Sequence, residues 1–216
     1  MKFGVGQPVL RIEDSRLITG QGRYTDDIEP GTGLGVAFLR APLAHAWLLS
    51  VDTSAAAAMD GVLLVATQAD LDADKVGEIQ CQHRLTNEDG EAMTMVSHPP
   101  MVRDVNRTAG DIVAVVIAET DSIAQDAMEL IDARYDSMPA VTDVYAAIED
   151  GAPQLYDEYP RNIAFNWVEG DHVSTNAAIA GAEAAGMELF DIDVGNNRVI
   201  INSMETRSRI AGPGEE

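Results

Sequence analysis

Three side chains with metal-ligand chemistry fall within one polar stretch: Cys81, His83 and His98. Cys81 and His83 are two apart, so an extended backbone would aim both at one face. A closed zinc site takes four thiolate or imidazole ligands, and this stretch supplies three. His45 and His172 stand alone. Nucleophilic catalysis needs a serine, threonine or cysteine beside a base that a third group orients. No Gly-x-Ser-x-Gly elbow occurs. With 36 acidic residues, any two carboxylates could be nominated as an acid–base pair, so the nomination carries no information. Glu205 and Arg207 read as an ion pair that fixes local geometry. Gly20 with Gly22, and Gly31-Thr-Gly-Leu-Gly35, could cradle phosphate only between a strand and a helix N-terminus. The first pair runs into turn chemistry at Thr25-Asp-Asp-Ile-Glu-Pro30, and the second runs into a strand. No catalytic, cofactor-binding or metal-ligating residue is therefore assigned within this chain.

The elements around these residues read as α/β. The run at 111–118 (Asp-Ile-Val-Ala-Val-Val-Ile-Ala) is nearly all apolar and β-branched, as in a strand buried on both faces. Thr120 or Asp121 can cap the next helix, in which Ile123, Ala127, Leu130 and Ile131 recur at helical spacing. A second strand follows at 132–136 and stops at Met138-Pro-Ala. Earlier, 36–40 and 46–51 read as neighbouring strands. Asp52-Thr-Ser caps a short helix over 55–59, 62–66 is a third buried strand, and 67–70 is a capped turn. Two strand–helix–strand units result, expected to pack as halves of one mixed sheet.

The stretch 77–107 is the least regular, and a loop of that length inside a compact domain usually serves function or an interface. Pro139, Pro153 and Pro160 mark an extended linker. Beyond it, Ser174 caps a helix through Ala185, Gly186 ends it, and 187–194 alternates as a strand. Asn196-Asn197 then turns into 198–202 to form a hairpin.

Composition narrows the function classes. The chain has 216 residues and a formal net charge of −22, a field that repels nucleic acid and anionic membrane surfaces. One cysteine excludes an internal disulfide framework and a cysteine-ligated Fe–S cluster. No secretory h-region or membrane-length apolar run is readable, so the cytoplasm is the default location. Asn106-Arg-Thr108 matches the glycosylation sequon, and without a secretion signal it reads as chance.

Several runs, in order along the chain, resemble one family. They include Val9-Leu-Arg-Ile-Glu-Asp-Ser-Arg-Leu-Ile-Thr-Gly-Gln-Gly-Arg-Tyr-Thr-Asp-Asp-Ile28, Phe38-Leu-Arg-Ala-Pro-Leu-Ala-His-Ala46, Asp52-Thr-Ser-Ala55 and Gly61-Val-Leu-Leu-Val. Asp111-Ile-Val-Ala-Val-Val-Ile-Ala-Glu-Thr120, Tyr135-Asp-Ser-Met-Pro-Ala-Val141 and Asn197-Arg-Val-Ile-Ile-Asn-Ser-Met-Glu-Thr-Arg207 continue the match. Together they resemble the opening of the large subunit of molybdenum hydroxylases, the relatives of aerobic carbon monoxide dehydrogenase, xanthine dehydrogenase and aldehyde oxidase. Gly110-Asp111 departs from the family's usual Gly-Glu/Gln-Pro, and Ser203 and Thr206 stand where prolines are usual.

The resemblance implies a hammerhead domain of mixed sheet with flanking helices over 1–136, a linker over 137–161, and over 162–216 an incomplete start of a molybdopterin-binding domain. It places His45 in a structural position. It also implies truncation, with the molybdopterin loops and catalytic residues beyond Glu216. In the complete family enzyme a molybdenum–pterin performs hydroxylation, while Fe–S clusters and FAD reside on partner subunits or domains. The expectation is a structural scaffold that completes an oxidoreductase and is inactive alone. The alternative is a non-catalytic assembly module that docks to a separately encoded cofactor-domain chain or self-associates as a homo-oligomer. An unrelated small-ligand binder would need a pocket that sequence does not reveal.

Overall fold

The computed structural model describes residues 10–24, 27 and 33–196. It divides into two compact units, Leu34–Leu189 and a second made of Met1–Gly33 with Phe190–Glu216. In the latter, a single helical turn, α1 (Asp14–Leu17), is followed by a turn at Gly20.

Leu34–Leu189 contains two three-stranded antiparallel sheets. The strands are β1 (Gly35–Arg40), β2 (Ala46–Asp52), β3 (Val62–Thr67), β4 (Val105–Asn106), β5 (Ile112–Ala118) and β6 (Asp132–Ser137). The first sheet has the order β1-β5-β3 and the second β4-β2-β6, so successive strands alternate between sheets along the chain. This corrects the expected single mixed sheet. The helix α2 (Ser54–Ala57) carries the chain from the second sheet to the first, and α4 (Asp121–Glu129) carries it back. The connection 53–61 is shorter than the roughly dozen residues a parallel crossover requires, so β2 and β3 cannot be parallel neighbours in one sheet. Nor do β1 and β2 pair with each other. β2 takes β4 and β6 instead.

β5 is the central strand of its sheet and is buried or half-buried along its whole length, as its apolar run predicts. β3 is an edge strand with exposed Leu63 and Leu64, not the fully buried strand expected. One core cluster joins Ala37, Ala114, Val116 and Ala118 of the first sheet to Ala56 of α2 and to Ala124, Ala127 and Ile131 around α4. Small side chains let the helices lie close on the sheet. Gly35 shows how close, because a Cβ there would overlap the backbone of Thr120 and Asp121. A second cluster, Ala41, Val102 and Val113, packs with Leu48, Val51, Ala133 and Tyr135 of the second sheet.

Capping follows the side-chain chemistry, with one shift. Thr120 caps α4 by accepting from the Ile123 N–H at 3.2 Å. At α3 (Gln68–Ala73), Thr67 and Asp70 form a capping box. The last helix, α5 (His172–Ala184), is capped by Asp171 rather than Ser174: the Asp171 carboxylate accepts the Ser174 N–H at 2.8 Å and the Ser174 hydroxyl besides. A charged acceptor also complements the helix dipole, which gives Asp171 the advantage over a hydroxyl. Gly186, at φ +72°, ends the helix as expected.

No residue of α5 is buried. The expected strand over 187–194 is absent, and its residues carry no regular structure. A strand needs a ladder partner, and none is present for it among the described residues; the proposed partner, 198–202, lies outside them. The linker holds two short 3₁₀ turns, Ala146–Ile148 and Pro160–Asn162.

The contact at Gly35 is testable. Gly35→Ala should destabilise the chain by about 1–3 kcal/mol in urea unfolding, the range for overpacking against atoms that cannot retreat. Gly77→Ala, where nothing lies within 4 Å, is the control and should not destabilise.

Candidate functional site

β4 leads into a tight turn that Asp111 organises. Its carboxylate accepts the backbone N–H of Arg107 at 2.9 Å and of Thr108 at 3.1 Å, and the Gly110 N–H donates to the Ala41 carbonyl at 2.8 Å. Arg107 is thereby aimed at the linker. Its Nε donates to the Leu155 carbonyl at 2.7 Å, and its guanidinium carbon lies 4.1 Å from the centre of the Tyr156 ring. A cation over an aromatic face is attracted by the ring quadrupole, so the pair clamps the linker to the sheet edge.

Two open clefts share Arg107 and Tyr156. One, of about 270 Å³, adds Arg40, His98, Met101 and Asp111. The other, of about 280 Å³, adds Trp47, Arg103, Asp104 and Glu158. Charges of both signs line each cleft, and the arginines are engaged by the protein itself, Arg40 with the Gly110 carbonyl at 2.9 Å.

A polar chain ties α3 to the long irregular loop. Gln68, only 2% exposed, accepts from the Met101 N–H at 2.9 Å and donates to Asp72 at 2.8 Å. Arg103 grips both oxygens of Asp72, at 2.9 and 3.1 Å, and reaches Glu78 at 3.5 Å. Ser97 donates to Glu78 at 2.6 Å. The Arg103 guanidinium, followed by the Gln68 amide, holds the Asp72 carboxyl below its usual range. The Ser97 hydroxyl does the same for Glu78, with Arg103 adding to it. Asp72 in turn raises the pKa of Arg103. These groups are partly exposed, so their value lies more in fixing geometry than in stability.

The residues singled out from sequence fare differently. Cys81 is exposed and its thiol donates to the His83 carbonyl at 3.0 Å. His98 lines the first cleft, and its carbonyl accepts the Ile79 N–H at 2.9 Å. Among the described residues, no three His, Cys, Asp or Glu side chains converge to hold a metal. His45 is buried and its Nδ1 donates to the Pro139 carbonyl at 2.8 Å, the structural position that the resemblance implied. His172 opens α5 and is exposed. Asn106 of the sequon is fully buried, its amide donating to the Leu43 carbonyl, which leaves no glycosylation site in this fold. Glu205, Arg207, Gly31, Ser203 and Thr206 lie outside the described residues.

Sequence reasoning missed Gln68, Arg103, Arg107 and Tyr156. Arg107 was legible only as the middle of a sequon, and its partner Tyr156 is remote in sequence. What the arrangement can do is join segments: it fastens the loop and the stretch around Tyr156 to the sheets.

Comparison with known proteins gives this scaffold a context. Residues 19–139 match the family model described as aldehyde oxidase and xanthine dehydrogenase, a/b hammerhead domain. The nicotine 6-hydroxylase large subunit of Paenarthrobacter nicotinovorans is 36% identical over 96% of this chain and 24% of its own. The carbon monoxide dehydrogenase large chain of Afipia carboxidovorans is 31% identical over 87% and 23%. Among solved structures, quinoline 2-oxidoreductase from Pseudomonas putida 86 superposes with a TM-score of 0.62 at 37% identity, covering 78% of this chain and 20% of that one. A Cu,Mo-CO dehydrogenase does so with a TM-score of 0.61 at 29% identity, covering 82% and 22%. The chain spans about a quarter of the length of the curated relatives it matches.

The lowered carboxylates set an acid dependence. A group whose folded pKa is depressed contributes stability above its unfolded pKa and loses it as pH falls through the folded value. Asp72→Asn should therefore melt lower than the parent chain at pH 7. The gap should close as pH falls below the ordinary aspartate value of 3.8. Thermal unfolding of both proteins at pH 7, 5 and 3 checks this.

Proposed function

Because the chain belongs to the aldehyde oxidase and xanthine dehydrogenase family through its hammerhead domain, we propose that it is the scaffold portion of a molybdenum-dependent hydroxylase or dehydrogenase large subunit, and that it completes an oxidoreductase without being one alone. The observation that carries this reading is α5, a helix of 13 residues that buries none of its side chains. An isolated helix of that length is marginal in water, and stability in proteins comes from packing an apolar face. Val173 and Ile179 are left exposed on it, as are Met187 and Leu189 just beyond. Such an element belongs to a domain whose other walls come from elsewhere. The proposal divides the chain into a hammerhead domain over 1–136, a linker over 137–161 and the opening of a molybdopterin-binding domain over 162–216.

The described residues do not fit a molybdenum–pterin group. The clefts at Arg107 are open, their arginines are occupied by carbonyls, a ring and carboxylates, and no ligand set converges. Hydroxylation is therefore assigned to the assembled large subunit, with Fe–S and flavin carriers as its electron partners, and to none of the described side chains. The cytoplasm is the location that accompanies this proposal. Among the described residues no helix is long and apolar enough to cross a membrane. The alternative, a non-catalytic assembly module that docks to a separately encoded cofactor-domain chain or self-associates, draws on the same exposed apolar side chains.

Metal analysis and substrate-dependent dye reduction test the proposal on the purified chain. The expected result is no bound molybdenum and no turnover with carbon monoxide, purine, aldehyde or N-heterocycle. Stoichiometric molybdenum with dye reduction would overturn it.

A further inference from the structure

No side chain of residues 143–166 is buried, yet the segment is folded by polar contacts. Arg161 and Asn162 are consecutive residues at φ +56° and +58°, in the left-handed region that favours glycine. Other residues persist there only where their surroundings over-determine the backbone. The two side chains supply that constraint. Arg161 donates through Nε, at 2.9 Å, and through Nη2 to the Ile148 carbonyl. Asn162 closes the segment on itself. Its Nδ2 donates to the carbonyls of Ala147 and Pro153, each at 2.9 Å, and its Oδ1 accepts the Leu155 N–H at 2.9 Å.

The Leu155 peptide carries this knot to the end of β4. Its N–H is held by Asn162, its carbonyl accepts Arg107 Nε, and the next residue, Tyr156, covers the guanidinium. Farther along, the Tyr159 hydroxyl donates to the Thr94 carbonyl at 3.0 Å. Asn166 then meets the turn at Asn87. Its N–H donates to Asn87 Oδ1 at 2.9 Å, and its carbonyl accepts the Glu88 N–H at 2.8 Å.

We propose that residues 143–166 are a latched strap that opens as one unit, with Asn162 as its catch, and that opening uncovers the Arg107 guanidinium. A segment held at the surface by polar bonds, without apolar burial, belongs to the low-stability end of a structure, and such regions open cooperatively. Asn162 is the catch because one side chain joins three separate points of the strap. Its release frees the Leu155 peptide and with it both contacts on Arg107. Each cleft then loses a wall, since Tyr156 lines both and Glu158 lines the second. The inference is independent of the family reading, because every contact it uses lies within Leu34–Leu189.

Amide exchange of the full chain, followed by NMR in dilute urea, tests this. In the parent chain the N–H groups of Leu155, Asn162, Asn166 and Glu88 should share one opening free energy and one urea slope, both below those of β5. Asn162→Gly keeps the left-handed backbone accessible and removes the catch. It should speed exchange at Leu155, Asn166 and Glu88 together by about tenfold or more, the effect of losing one net hydrogen bond, and leave β5 unchanged. Phenylglyoxal labelling, read by mass spectrometry, should speed at Arg107 in this variant and not at Arg103, which grips Asp72 instead. Where the variant also loses protection in β5, the parent-chain measurement decides. Unequal opening energies or slopes in the parent chain, faster exchange at Leu155 alone, unchanged exchange in the variant, or opening without faster labelling of Arg107 would each overturn the inference.

Discussion

The close seating of α4 on the first sheet is the constraint from which the rest of Leu34–Leu189 follows. The helix and the sheet meet through alanines and one glycine: Ala124 and Ala127 on the helix, Ala37, Ala114 and Ala118 on the strands, and Gly35 against the backbone at the helix start. Close-packed interiors leave no room for a larger side chain at such a seam. Because α4 lies this close, β5 is pinned between β1 and β3, and the chain leaving the helix enters β6 in the other sheet. The alternation of strands between sheets is thus coupled to one tight helix–sheet contact.

With two small sheets and short helices, the regular elements leave long connections to be fastened by side chains. Gln68 and Arg103 hold the loop that precedes β4, and Arg107 with Tyr156 holds the linker. Each uses groups that elsewhere would suggest chemistry: a buried amide, a bidentate arginine–aspartate pair, a cation over a ring. Here they end on backbone N–H and carbonyl groups, carboxylates or a ring of the same chain. Each joins segments remote in sequence, and the clefts lie between them.

The described residues nevertheless leave apolar surface exposed. An apolar sheet face is covered at Val113 and bare at Phe38, and α5 carries its apolar residues into solvent. Large exposed apolar patches on a soluble domain mark contact surfaces. Both features belong to a chain that spans about a quarter of the nicotine 6-hydroxylase and carbon monoxide dehydrogenase large chains it resembles.

Five of the six strands, most helix caps and the family were legible in the sequence because they depend on local signals; β4 lies in the stretch read as irregular. The β-branched run of β5, the Thr120 cap, the capping box at Thr67 and the ordered motifs each lie within a few residues. His45 was legible through the resemblance alone, and its carbonyl partner Pro139 is far along the chain. Only the tertiary structure decided that the strands form two antiparallel sheets, that β3 sits at an edge, that Asp171 and not Ser174 caps α5, and that 187–194 forms no strand. Strand pairing and polar clamps such as Arg107 on Tyr156 join residues remote in sequence. Periodicity says which face a residue prefers, and it is silent on which distant segment will meet that face.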